Sequence, residues 1–203
     1  MKNAAAITLV SFAAILLFLD GCATTRGRIS NDRYYSPLNN FDIPIPSWTG
    51  LRIQDEYDET GGSVSFHGDW GGLTSVLYLR LPPHVRTSLN DPNNRDAAYR
   101  STLYDYAMPR IFRKASPRSS ILYEEFLGEG VDRAYFAVVG LPEGSTLVDA
   151  KTNRRLDATR ALLIFGYGDF LYIVMAQIQW TVAERQMIAD NLRKITASMA
   201  FKR

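Results

Sequence analysis

His67 and His84 are the two imidazoles in this 203-residue chain. His67 stands in F-H-G-D-W, two positions before Asp69, and a histidine beside a carboxylate can act as a general base oriented by its partner. No G-x-S-x-G or other nucleophile motif accompanies the pair, so a hydrolase using His67 ranks last among the functional readings. His84 follows Pro82-Pro83 and reads as an exposed residue at a strand exit. The acidic run D-E-Y-D-E at 55–59 offers oxygen ligands, but the spacing, mid-loop glycine and distal glutamate of a calcium loop are missing. It reads as a solvated hairpin tip. No paired histidines offer zinc a site, and no glycine-rich loop opens a helix to cradle phosphate. The sequence names no metal, no cofactor and no catalytic residue.

Charge and aromatic rings leave binding as the remaining chemistry. Arg110, Arg113, Lys114 and Arg118 put four cations in nine positions without an acid. Such a run can meet an anionic lipid or an acidic partner, or it can simply satisfy the negative end of a helix. Trp70 falls in a D-W-G-G turn, Tyr34 and Tyr35 open the stretch Y-Y-S-P-L-N-N, which reads as a turn, and Trp48 lies in a turn or near a strand end. An exposed ring there would mark a contact surface, while a ring folded back onto the sheet would belong to the core. The formal net charge is +2, nearly neutral, which argues against nucleic acid as a partner.

The single cysteine, Cys22, ends an apolar run. Lys2 precedes sixteen residues, Ala4 to Leu19, interrupted only by Thr8 and Ser11. The run is short of the ~20 residues that span a bilayer and has the plan of a secretory signal. It closes on Leu19-Asp20-Gly21-Cys22, which resembles the lipobox of bacterial lipoproteins, with Asp20 departing from the small uncharged residue usual there. A plain signal peptide and an uncleaved anchor are the competing readings. The resemblance implies cleavage before Cys22, a diacylglyceryl group on its thiol and a further acyl chain such as palmitate on its amino group. Ala23, where an aspartate tends to hold lipoproteins at the inner membrane, leans toward the outer membrane. With Cys22 acylated, the rest of the chain has no thiol for a disulfide, a nucleophile or a metal.

Cleavage removes Lys2 and Asp20, one charge of each sign, so the net remains +2. The organisation expected is a signal peptide at 1–21, a lipidated N-terminus and tether at 22–33, and one domain at 34–203. The tether, stretched at ~3.3–3.6 Å per residue, would hold that domain within about 40 Å of the bilayer.

The elements follow from period and turn chemistry. Phe41, Ile43 and Ile45 alternate with Asp42 and Pro44, and Pro44 places this strand at an edge. Leu51 to Gln54, Val64 to Phe66 and Thr74 to Leu81 follow as a meander joined by polar turns. Asp91-Pro92 starts a helix, with Ala98, Tyr99, Thr102, Leu103 and Tyr106 on one face and Pro109 ending or kinking it. Strands return at 121–127 and 131–139, then as an apolar hairpin at 160–167 and 170–179. Thr181-Val-Ala-Glu184 fits a capping box for a last helix with Ile188, Leu192 and Ile195 as its stripe. A strand from Ser198 to Phe201 closes the chain.

The fold class is α+β, an antiparallel sheet flanked by helices. The opening strand, middle helix, late hairpin and C-terminal helix running into S-M-A-F resemble the PsbP-like sandwich. That resemblance implies a non-catalytic binding or assembly-accessory module with an envelope protein partner, carried on the membrane by Cys22. The alternative is a carrier of an apolar small molecule or lipid, with Phe136, Phe165, Phe170 and Tyr172 lining an interior cavity.

Overall fold

The structure, a computed structural model, describes residues 27–129, 132–145, 148–178 and 182–202. For Trp70 and Val182 it describes the backbone alone. The signal segment, Cys22, Thr181 and the side chain of Trp70 lie outside the described residues.

The class is α+β, as the sequence indicates, but the strands form two antiparallel sheets rather than one. The small sheet contains β1 (Arg28–Ser30), β2 (Arg33–Tyr35), β3 (Phe41–Pro44) and β11 (Ala200–Phe201), in that order. The large sheet contains β4 (Arg52–Asp58), β5 (Gly61–His67), β6 (Leu73–Arg80), β7 (Ser120–Leu127), β8 (Ala134–Leu141), β9 (Ala158–Tyr167) and β10 (Phe170–Ile178). Its order is β4-β5-β6-β10-β9-β8-β7. Two meanders therefore meet at the β6·β10 pair, where Tyr172 opposes Tyr78 and Val174 opposes Val76.

The joint lies between strands buried on both faces, and this explains their nearly continuous apolar sequence. In β8, Tyr135, Ala137 and Val139 face one core, Phe136 and Val138 the other, and all five are fully buried. Successive side chains in a strand point to opposite faces, so only apolar residues suit every position there. Each large side chain so buried contributes about 1.5–3 kcal/mol. The first core lies between the large sheet, the small sheet and α3 (Arg185–Ser198), through Tyr34, Phe41, Ile43, Ile188 and Leu192. The second lies under the helices that carry the chain from β6 to the far edge strand β7.

Those helices depart from the sequence reading. After Pro82 the chain forms α1 (Pro83–Asn90), so His84 sits in a helical first turn rather than at a strand exit. Only Val85 and Leu89 give α1 an apolar face, too few for the periodicity to show. Asp91 caps α2 (Pro92–Ser101) as expected, its carboxylate accepting from the Asn93 amide at 3.0 Å. Pro109 does not end the helix. From Thr102 to Phe112 the chain continues in wide π-type turns that keep Leu103, Ala107, Met108 and Phe112 buried against the sheet. Burial of that stripe outweighs the loss of the one N–H that proline lacks.

The N-terminal boundary also moves. Residues 28–33, expected in the tether, hold β1 and the start of β2, and Tyr34 and Tyr35 belong to β2 rather than to a turn. Asn31 and Asp32 both have positive φ, 51° and 55°, the backbone of a two-residue turn whose twist matches a hairpin. The acidic run is not a hairpin tip. Asp55 to Asp58 lie along β4, an edge strand of the large sheet, where charge discourages pairing with another chain. At the C-terminus a 3-10 turn at Val182–Glu184 precedes α3, which continues through Ser198, so β11 starts two residues later than expected.

Candidate functional site

The basic run divides between two places. Arg110 projects over the Tyr106 ring at 5.2 Å and lines a groove of about 610 Å³ above β6, together with Arg80, His84 and Asp105. Arg113 and Lys114 are exposed on the last helical turn, Arg113–Ala115. Arg118, three residues beyond that turn, lines a different groove of about 590 Å³ between this segment and the connection from β8 to β9.

That connection supplies what the sequence reading missed. Val148 pairs with Arg155 in an isolated antiparallel bridge. The Asp149 carboxylate accepts from the amides of Lys151 and Thr152 at 2.7 and 2.9 Å, and the Asp149 amide donates to Arg154 O at 2.8 Å. These bonds, from Thr152 first and Lys151 second, hold the Asp149 carboxyl below its usual range. The turn closes at Asn153, whose φ is 52°. A short side chain that bonds to its own backbone tolerates this conformation best. Arg154 and Arg155 are thereby presented to the groove that Arg118 enters. The floor is fixed as well, since the buried Ser116 hydroxyl donates to Pro142 O at 2.7 Å.

Three guanidinium groups line this groove against one carboxylate, Glu143, a balance of +2. Glu143 takes only part of that charge, meeting Arg118 at 3.5 Å with both side chains largely in solvent. An exposed pair of this kind contributes about 0–1 kcal/mol, so a competing acid displaces it at little cost. Planar guanidinium forks match carboxylates and phosphates in bidentate fashion, and this is the chemistry the groove can perform.

His67 is differently placed from the sequence expectation. It stands directly opposite Arg52 across the β4·β5 ladder. Burial, then Arg52, then Arg160 push its pKa down from the ordinary value. Asp69 is not its orienting carboxylate. The Asp69 amide bonds to Thr49 O, and its carboxylate abuts Gly50, where any Cβ would overlap it. A histidine flanked by two cations lacks the base-and-carboxylate arrangement a hydrolase needs. Arg160 is itself half-buried, which lowers its pKa, and its Nε has no hydrogen-bond partner among the described residues.

The rings that the carrier reading places around an interior cavity pack on neighbouring rings. Phe165 stacks on Tyr172 with centroids 5.4 Å apart, Phe170 lies 6.2 Å from Tyr172, and Phe136 packs on Tyr123. Phe165 instead borders an open groove of about 520 Å³ beneath α3, shared with Tyr167, Met199, Phe201, Arg133 and Arg193. No group of His, Cys, Asp or Glu among the described residues is arranged to hold a metal ion.

No protein-family profile matches the chain. No curated protein matches it either. Among solved structures it is similar to the cyanobacterial PsbP of Synechocystis, at 14% identity over 90% of this chain and 98% of that one, with a TM-score of 0.47. It is similar to a Bacteroides thetaiotaomicron protein at 11% identity and a TM-score of 0.46, covering 86% of this chain and 50% of that one. It is also similar to the Saccharomyces cerevisiae Ran-binding protein Mog1p, at 9% identity over 86% of this chain and 96% of that one, with a TM-score of 0.46. Likeness at this level is at most one of fold.

Proposed function

We propose that the chain is a lipid-anchored protein of the bacterial envelope whose domain docks an acidic surface of a second envelope protein and performs no chemistry itself. The convergence of Arg118, Arg154 and Arg155 in one groove carries this reading, because two distant basic segments meet there with a single carboxylate between them. The lipobox-like Leu19-Asp20-Gly21-Cys22 supports the anchor, and Ala23 favours the outer membrane. The experiment is photo-crosslinking in the native host with a reactive residue at Asn153, comparing the natural chain with an Arg154→Glu/Arg155→Glu variant. Docking through the groove means a discrete crosslinked band that charge reversal removes while the amount of folded protein is unchanged. The same band at the same strength in both would overturn it.

One observation favours a second reading, a carrier of an apolar molecule. The groove under α3 offers Phe165, Tyr167 and Phe201 as an aromatic floor with Arg193 at its side. A carrier would bind a fluorescent fatty acid, and Phe165→Asp would abolish that binding.

A further inference from the structure

The start of the domain is pinned in a way that limits where a lipid anchor can lie. The Gly27 amide donates to Asp55 Oδ2 at 2.6 Å, and Arg28 already belongs to β1. Only Ala23 to Arg26, A-T-T-R, stand between Cys22 and Gly27. Five Cα steps, fully stretched, reach about 18 Å. An acylated Cys22 would therefore bring β1 itself to the bilayer surface.

The residues there have the chemistry of an interface. β1 is an edge strand of the small sheet, and Ile29 on it is 57% exposed, beside Tyr34 on one face, while Arg28 pairs with Tyr35 on the other. Arg28 lies over the Tyr35 ring at 4.7 Å, and Lys202, just after β11, approaches the same ring at 5.3 Å. Both cations are exposed. The carboxylates on the strands nearby are engaged. Asp42 is buried against Arg33, and Asp55 accepts from Gly27 and from the Tyr34 hydroxyl. Asp32 is exposed at the turn between β1 and β2.

Resting on the lipid-anchor reading above, we propose that the β1 edge, with Ile29 on one face and Arg28 and Tyr35 on the other, forms a second membrane contact. Ile29 enters the headgroup boundary beside the anchor, and Arg28, with Lys202 behind it across the Tyr35 ring, meets anionic phospholipid headgroups. Amphipathic rings and cations with apolar stems suit this boundary, and an acyl anchor is strengthened by a second, electrostatic signal. The contact also fixes the orientation of the domain, with the β1 edge toward the bilayer.

The test uses the full chain made in a host that processes lipoproteins. With Cys22 acylated, a Ser30→Cys variant carries one reactive thiol, beside an intact Ile29. It is labelled with nitrobenzoxadiazole and reconstituted in vesicles of phosphatidylethanolamine with phosphatidylglycerol. A Met187→Cys variant, labelled on the exposed face of α3, is the control. Quenching by doxyl-labelled lipid is expected to be several-fold stronger at position 30 than at 187. It is expected to fall to the control level with Ile29→Ser, and to weaken with Arg28→Glu/Lys202→Glu or in phosphatidylcholine vesicles. Equal quenching at 30 and 187 would overturn the contact. So would a blue shift at position 30 that needs envelope proteins and is missing in vesicles, which would assign the patch to a protein. The intact mass of the same samples separates the two readings. An acyl mass without quenching at 30 defeats the contact alone, while a missing acyl mass defeats the anchor and the contact together.

Discussion

The Asp55 carboxylate receives the Gly27 amide at 2.6 Å and, through the same oxygen, the Tyr34 hydroxyl at 3.0 Å. One side chain on the edge of the large sheet thus holds the N-terminal hairpin of the small one. Asp55→Ala would leave the Tyr34 hydroxyl, on a side chain 1% exposed, without its acceptor. An orphaned buried hydroxyl costs about 1–3 kcal/mol. The urea midpoint is expected to fall, at an unchanged slope, by that loss divided by the slope, and an unchanged midpoint would contradict the pinning.

Phe41 is the ring on which the two sheets meet. It is fully buried and contacts Tyr34, Tyr78 and Tyr172 with centroids 5.2–6.4 Å away. Phe41→Ala is expected to cost about 3–5 kcal/mol, the range for a deleted core ring. Denaturation with loss below about 1 kcal/mol would mean that the small sheet is only loosely attached.

Asp96 on α2 accepts a bidentate pair from Arg133, at 2.8 Å from Nε and 2.5 Å from Nη2. The Arg133 hydrogen bonds hold the Asp96 carboxyl below its ordinary 3.8. A depressed folded value means that the stabilisation is fully present above 3.8 and is lost as pH falls through the folded pKa. Both groups are partly exposed, so the effect is about 1 kcal/mol at most. Thermal melts of Asp96→Asn should lie below the natural chain at pH 7 and converge with it in acid. A gap that persists unchanged in acid would contradict this account.

His67 titrates below its ordinary 6.5, through burial first and the charges of Arg52 and Arg160 after it. The stability this contributes is full above 6.5 and is lost as pH drops through the depressed folded pKa. Replacing exposed Arg52 by Gln should move the imidazole upward in an NMR titration. No movement, or movement downward, would show that Arg52 does not act on His67.

What the sequence made legible followed physical constraint. The runs A-L-L-I-F and L-Y-I-V-M-A declare β9 and β10 because both faces are buried, and Asp91-Pro92 declares the start of α2 because capping chemistry is local. The small sheet stayed hidden because Phe41 pairs with Phe201 across nearly the whole chain, a relation no local window contains. β1 was masked by its three-residue length and by turn residues, Asn31 and Asp32, that also suit a linker. α1 was hidden by Pro82-Pro83 and an apolar face of two residues. Half of the basic groove was visible in Arg118. The other half, Arg154 and Arg155, lay in K-T-N-R-R, which reads as loop charge until the Val148–Arg155 bridge folds it beside Ser116.

The most direct measurement is the intact mass of the protein extracted from its host's membranes. The anchor at Cys22 requires a chain that begins at Cys22 and carries a diacylglyceryl group with a further acyl chain. It also requires that Cys22→Ala abolish both the added mass and the membrane fractionation. An unacylated chain, or a Cys22→Ala protein that stays with the membrane as before, would contradict it.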